Sequence, residues 1–102
     1  MSVPKTDRNK AELVGEVTGT TVLKKFDSGA TLLSFNVRTC IAGDERPVTH
    51  NVPVAWWEPE LSARDVPEGI RVKVVGCVHR RFYNTPTGLR SQVEVVAQTV
   101  EV

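Results

Sequence analysis

Two basic residues are followed directly by two aromatic residues in the segment RRFY, residues 80–83. Unpaired nucleic acid presents a charged backbone and flat bases, so a surface that binds it combines cations for the phosphates with exposed rings on which bases stack. Arg80, Arg81, Phe82 and Tyr83 supply both kinds of side chain. This segment is therefore a candidate for contacts with a single-stranded nucleic acid.

Two adjacent tryptophans, Trp56 and Trp57, form a second aromatic site. Aromatic side chains are also common in the cores of small proteins and at subunit interfaces, so burial is the plain alternative to base stacking for either ring. Successive residues of a β-strand point to opposite faces of the sheet. The two rings therefore cannot both enter one interior, and at least one is expected to be exposed or to lie between subunits.

The net charge of +1, from 13 basic and 12 acidic residues, does not by itself indicate a nucleic-acid-binding protein. The charge is unevenly distributed, however. Residues 69–93 contain five basic residues and no acidic one, and therefore carry +5, whereas the rest of the chain carries −4. This distribution predicts a basic stripe, with a solvated face as the alternative. The basic residues of this segment are Arg71, Lys73, Arg80, Arg81 and Arg90.

The elements that must position these residues are predicted to be β-strands. Runs rich in Val, Thr, Leu and Phe are separated by clusters of turn-forming residues at 27–29, 42–47 and 84–88, which is typical of an antiparallel fold. In the fourth run apolar and basic residues alternate, so Arg71 and Lys73 are expected on its outer face. The five predicted strands cover residues 11–24, 31–41, 48–57, 70–81 and 89–102, after a polar, flexible arm of residues 1–10.

A short helix is predicted within residues 58–69, between the third and fourth strands, because Pro67 and Gly69 would end it. Three strands, a short helix and two strands in one domain follow the order of an OB-fold, a five-stranded Greek-key barrel. Gly15 and Gly76 fit this fold, since a small barrel needs bends where a Cβ would obstruct closure. The sequence thus predicts an all-β OB-fold domain over residues 11–102.

Catalytic and metal-binding functions have little support in the residues. Cys40, His50, Cys77 and His79 would suffice in number for a zinc ion, but their spacings do not match the short Cys-pair turn of structural zinc sites. No carboxylate neighbours either histidine in sequence, and a Gly-rich phosphate-binding loop is absent. We expect no catalytic residue, metal or other cofactor, while a disulfide within or between subunits stays open.

The sequence contains no apolar run long enough for a membrane span and no leading apolar stretch of the signal-peptide kind. With two cysteines, the reducing cytoplasm is the default compartment. A domain of 102 residues buries a modest core, and small β-domains often gain stability by assembly. We therefore expect a soluble, cytoplasmic protein that forms oligomers.

The chain resembles the bacterial single-stranded DNA-binding protein (SSB) family over nearly its whole length, from about Asn9 to Val102. The resemblance implies an OB-fold that coats single-stranded DNA without sequence preference in replication, recombination and repair, as the homotetramer that the family forms. The segments that carry it are NKAELVGEV (9–17), SGATLLSFNVRT (28–39), PVAWW (53–57), EGIRVKVVG (68–76) and the final hairpin, residues 78–101.

The resemblance also implies roles for individual residues. Trp56 and Tyr83 match base-stacking aromatics, and His50 stands where many members have a further aromatic. Arg71, Lys73, Arg81 and Arg90 fit the family's phosphate-tracking surface, and Arg38 is a further candidate from the second strand. Arg80 and Phe82 remain expected contacts to single-stranded DNA from the RRFY segment itself.

Two features depart from the family pattern. The chain stops at Val102, without the acidic tail that recruits replication and repair proteins. It is therefore expected to be a shortened SSB, a specialised paralogue, or a relative such as the primosomal PriB proteins, which are typically dimeric. The second strand also ends in CIAG (40–43), with no aromatic nearby, so one stacking platform is expected to be missing.

Overall fold

The computed structural model describes residues 2–42 and 46–102, which form a closed barrel of five strands in the order β1-β2-β3-β5-β4. Neighbouring strands are antiparallel except β3 and β5, which pair in parallel. This arrangement confirms the predicted all-β OB-fold. The strands are β1 (Ala11–Lys25), β2 (Thr31–Ile41), β3 (Val48–Trp57), β4 (Arg71–Thr85) and β5 (Gly88–Glu101).

The hairpin that joins β4 to β5 is longer than predicted. Strand β4 continues to Thr85, which pairs with Gly88, so the expected turn over 84–88 shrinks to Pro86 and Thr87. The Thr85 hydroxyl donates a hydrogen bond of 2.8 Å to the carbonyl oxygen of Gly88, whose φ of 127° favours glycine. The bounds of β2 and β3 are those predicted, while the turn predicted at 42–47 includes residues 43–45, which lie outside the described residues.

Two glycines allow the strands to approach closely enough for the barrel to close. A Cβ at Gly15 would collide with the backbone carbonyl of Arg38, and a Cβ at Gly76 would collide with that of Val96. The first glycine thus lets β1 approach β2, and the second lets β4 approach β5. The role predicted for both glycines is confirmed.

The interior of the barrel is filled mainly by β-branched and aromatic side chains, which suit a pleated, buried surface. Alternation places Leu33, Phe35 and Val37 of β2 inside, and their neighbours outside. The same alternation in β4 buries Val72 and Val74. The buried cluster consists of Val17, Leu33, Phe35, Val37, Val54, Trp56, Val66, Val72, Val74, Val95 and Ala97.

The segment between β3 and β4 does not form a regular α-helix, although its sequence predicts a short helix within residues 58–69. Only Ala63–Asp65 adopt a single 3-10 turn. Two prolines, Pro59 and Pro67, bracket the segment, and so short a stretch cannot offset the cost of nucleating a helix. Val66 nevertheless enters the core, so the segment packs against the interior of the barrel.

A carboxylate stabilises this turn. Asp65 accepts hydrogen bonds of 2.9 Å from the backbone N–H of Ser62 and 3.0 Å from its hydroxyl. These bonds favour the charged carboxylate and lower the pKa of Asp65. The ionised carboxylate therefore stabilises the turn at neutral pH, and this stabilisation is lost as the pH falls through the lowered pKa of Asp65.

Residues 2–10, before β1, are exposed, but one of them is bonded to the barrel. The Asn9 side-chain amide donates to the carbonyl oxygen of Val78 at 2.7 Å and accepts from the Val78 N–H at 2.8 Å. This side chain thus links the two strands two positions beyond the pair of Ala11 and Gly76. In the described part of the chain, no helix has the length and apolar character needed to cross a membrane.

Candidate nucleic-acid interface

A groove runs across the outer face of β2 and β3, between the end of β1 and the β4–β5 hairpin. Leu32 and Ser34 of β2 form part of its floor, because their neighbours Leu33 and Phe35 point into the barrel. Its larger part has a volume of about 460 Å³, and a second part of about 250 Å³ shares Ser34. The larger part is lined by Lys24, Phe26, Leu32, Ser34, Ala55, Trp57, Arg81 and Glu94.

An aromatic pair lies at one side of this groove. The rings of Phe26 and Trp57 have centroids 5.4 Å apart and planes inclined by 31°. The Lys24 Nζ lies 5.0 Å from the centroid of the Phe26 ring, within the range of a cation–π contact. A cation therefore lies beside a pair of aromatic rings, and one of these rings, Trp57, is 47% exposed.

Local backbone chemistry places these two rings side by side. The Phe26 N–H donates to the carbonyl oxygen of Ala30 at 2.9 Å, across a turn in which Gly29 has a φ of 92°. Immediately after Trp57, the Glu58 carboxylate accepts a hydrogen bond of 2.9 Å from the Thr31 N–H. Glu58, with a φ of 50°, thus closes the β2–β3 pair.

The β4–β5 hairpin forms the opposite side of the groove and divides the RRFY segment between two faces. Arg81 lines the groove, and its Cζ lies 5.6 Å from the centroid of the Tyr83 ring. Arg90 is paired directly with Tyr83 and shares its face. Arg80 and the 61% exposed Phe82 alternate with these residues and project from the other face of the hairpin. The segment therefore contributes only half of its side chains to the groove side.

An acidic residue, Glu94, also lines both parts of the groove. Its Oε1 lies 3.7 Å from the Nε of Arg81 and 3.8 Å from the Nδ1 of His79. Glu94 is 8% exposed and is the one buried charged residue in the described part of the chain. The groove is thus a mixed surface of cations, rings and one carboxylate.

The position of Trp56 corrects the sequence-based expectation that it stacks on bases. Trp56 is 4% exposed and belongs to the core cluster, so its ring has no face available to a ligand. The prediction that one ring of the pair would be exposed is confirmed, but the exposed ring is Trp57. Strand alternation is the reason, since β3 turns Val54 and Trp56 inward and Ala55 and Trp57 toward the groove.

The five basic residues expected to form one stripe do not form one surface. Arg71 lies with Arg38 and Glu16 around a separate cleft that shares no lining residue with the groove. Two local ion pairs engage this region: Arg38 with Glu16 at 3.0 Å, and Lys73 with Glu12 at 3.6 Å. Because acidic residues of β1 alternate with these cations, their surface is less positive than their number implies.

One further expected contact, His50, lies away from the groove. His50 is exposed near the start of β3, opposite Thr39, and lines neither part of it. Cys40 and Cys77 are both free thiols. Across residues 2–42 and 46–102, no three His, Cys, Asp or Glu side chains are grouped so that they could hold a metal ion.

Comparison with known proteins bears on the fold. No family model and no curated protein sequence matches the chain. Its structure is similar to that of Plasmodium falciparum SSB in complex with ssDNA, with a TM-score of 0.81. The barrel has an SSB-like OB-fold. The likeness covers 97% of this chain and 96% of the SSB chain, at 18% sequence identity.

In this SSB-like barrel, several groove residues were not among the sequence-based candidates. Strand alternation requires one of the adjacent rings of Trp56 and Trp57 to be exposed, but it does not show that Trp57 is the exposed one. Lys24 and Phe26 come just before the turn predicted at residues 27–29, and only the folded barrel places them beside Trp57 of β3. Glu94 has no signal in the sequence at all, because its burial depends on the hairpin folding over the face of β2 and β3.

Proposed function

We propose that this chain binds single-stranded DNA in the groove across β2 and β3. The observation that carries the proposal is the pairing of rings with cations on both sides of the groove: the half-buried Phe26 and the exposed Trp57 beside Lys24, and the exposed Tyr83 beside Arg81. Unpaired bases stack on such rings, and neighbouring cations neutralise the phosphates. The similar fold of an SSB in complex with ssDNA supports the same ligand.

In this proposal the rings and cations have separate tasks. Trp57 and Tyr83 stack bases, while Arg81, Arg90 and Lys24 neutralise phosphates along the groove. Arg38, Arg71 and Lys73 neutralise further phosphates only if the DNA strand continues to the separate cleft lined by Arg38 and Arg71. His50, Arg80 and Phe82 are further contacts for a long strand that wraps around the barrel. The ligand is single-stranded because only unpaired bases expose their faces.

We further propose that the chain protects single-stranded DNA in replication, recombination and repair, in the cytoplasm and as a homotetramer. Exposed apolar residues on the barrel surface, including Val14, Ile41 and Val48, are available for subunit contacts. Light scattering of the purified protein tests the assembly. A tetramer supports this role, whereas a dimer would favour a PriB-like component of the primosome.

Tryptophan fluorescence tests the groove directly. Oligo-dT is expected to quench the wild-type emission because a base stacks on Trp57, whereas duplex DNA of equal length is not. The Trp56→Phe variant keeps Trp57 as its single tryptophan and should keep the quenching. The Trp57→Phe variant keeps only the buried Trp56 and should lose most of it. If the Trp57→Phe variant kept the quenching and the Trp56→Phe variant lost it, Trp57 would not belong to the proposed site.

The salt dependence of binding tests the assignment of the cations. Each phosphate contact to single-stranded DNA contributes about 0.7 to the slope of log K against log salt concentration. Arg81→Gln is therefore expected to flatten the slope by about 0.7. Lys73→Gln serves as the matched control, because Lys73 lies outside the groove and is paired with Glu12. If Lys73→Gln flattened the slope more than Arg81→Gln does, the phosphates would have to pass the separate cleft lined by Arg38 and Arg71 instead of the groove.

A further inference from the structure

Glu94 is an unusual residue to find in a groove for a polyanion. A carboxylate repels phosphates, and moving it from water into a nearly buried position costs free energy unless partners compensate. Within the described residues, no hydrogen bond involves its side chain, and the nearest basic nitrogens, the Arg81 Nε at 3.7 Å and the His79 Nδ1 at 3.8 Å, lie beyond hydrogen-bonding distance. The fold therefore keeps a carboxylate in the groove whose oxygens are without donors.

Neither carboxylate oxygen of Glu94 is fully sealed from solvent. In the described part of the chain, every side-chain oxygen that is sealed from solvent in a residue that is not exposed has a hydrogen-bond partner. The Glu94 oxygens have no such partner, so each retains contact with solvent. Glu94 lines both parts of the groove, beside Ser34 and Arg81. Its acceptors are thus available to a ligand.

A DNA strand offers two kinds of group to such a carboxylate. Its phosphates are excluded by like charge, which leaves the edges of the bases. An ionised carboxylate only accepts hydrogen bonds, and its two oxygens can accept from two parallel donors. The base that binds it best is therefore the one with two adjacent donors on its exposed edge.

Guanine is the base that meets this requirement. Its N1–H and N2–H₂ donors lie side by side, and both can point to the two oxygens of one carboxylate. Adenine and cytosine offer an exocyclic amine beside an acceptor nitrogen, and the N3–H of thymine is flanked by two carbonyl oxygens. Each of these three bases would place at least one acceptor against Glu94.

We propose that Glu94 forms a guanine-selective subsite in the groove, in which a base stacked beside Trp57 donates N1–H and N2–H to the Glu94 carboxylate. The inference rests on the proposed function of the groove. Stacking and phosphate contacts still bind any single strand, and the subsite adds a preference at one position. The Arg81 guanidinium, whose Nε lies 3.7 Å from the carboxylate, limits the cost of the charge.

Binding of the full chain to a set of matched oligonucleotides tests the subsite. The strands are oligo-dT of one length in which evenly spaced positions carry guanine, adenine, cytosine or hypoxanthine, in lithium buffer to prevent quadruplexes. Guanine strands are expected to bind about tenfold more tightly than oligo-dT, as one bidentate contact to a base implies. Hypoxanthine keeps N1–H but lacks the N2 amine, so it should lose most of this gain.

Two glutamine variants assign the effect to its residue. Glu94→Gln keeps the size of the side chain, removes the paired acceptors, and should abolish the guanine preference while oligo-dT binds as well or better. Glu101→Gln removes the same charge from an exposed position of β5 and should keep the preference. A preference that survives Glu94→Gln would overturn the assignment. Equal binding of all strands by the wild type would overturn the subsite but not the groove, whereas binding of none would overturn both.

Discussion

Replacement of Trp56 by alanine should lower the free energy of unfolding by about 3 to 5 kcal/mol. Trp56 is almost fully buried among the core residues, so its truncation removes apolar contacts and leaves a cavity that β-branched neighbours cannot fill. A domain of this size is stabilised by about 5 to 15 kcal/mol, so the variant should be close to unfolding at 37 °C. Denaturant titration followed by circular dichroism measures the loss.

The adjacent residue provides the matched control. Trp57→Ala removes a ring of the same size from the surface, and should cost less than about 1 kcal/mol of stability. It should instead weaken binding of oligo-dT by about 1 to 3 kcal/mol through lost base stacking. The two neighbouring substitutions thus separate core from interface. A greater loss of stability with Trp57→Ala than with Trp56→Ala would contradict the inward orientation of Trp56.

Replacement of Gly76 by alanine should destabilise the barrel by about 3 kcal/mol, at the upper end of the range for overpacking. The new methyl group would meet the backbone carbonyl of Val96 on β5, and backbone atoms cannot move aside as a flexible side chain can. The β4–β5 pair must separate locally to accommodate it. Thermal unfolding followed by circular dichroism should detect a clear drop in Tm.

Gly19→Ala is the comparison for this substitution. Gly19 has a φ of 72° and open space around its Cα, so alanine there meets backbone strain but no collision. Its expected cost is about 1 kcal/mol. Equal losses in the two variants would show that close approach at Gly76 contributes nothing beyond the general cost of replacing a glycine.

The barrel was predictable because its signals are local and repeated. Alternation in β4, together with turn formers such as residues 27–29, identifies strands from short windows of sequence. Gly15 and Gly76 were assigned correctly because a glycine within a strand points to close backbone approach. The helix was the exception, since Pro59 and Pro67 leave too little chain between them.

The candidate site was less predictable, because it depends on which side of each strand faces the groove. Trp56 and Trp57 have the same chemistry, and only the register of β3 distinguishes them. Arg80 and Arg81 differ in the same way across the hairpin. Glu94 and Phe26 come from distant segments, so their meeting in one groove is a property of the folded chain alone.

The pairing of β1 with β4 has a consequence for the order of folding. Ala11 pairs with Gly76, and Glu16 with Arg71. Strand β1 therefore cannot pair with β4 until the intervening strands β2 and β3 have been synthesised. The β4–β5 hairpin, joined by two residues, can form within microseconds, whereas the β1–β4 seam needs a long loop to close. During synthesis β1 therefore has one unpaired edge, and this nascent edge is where premature association between chains should begin.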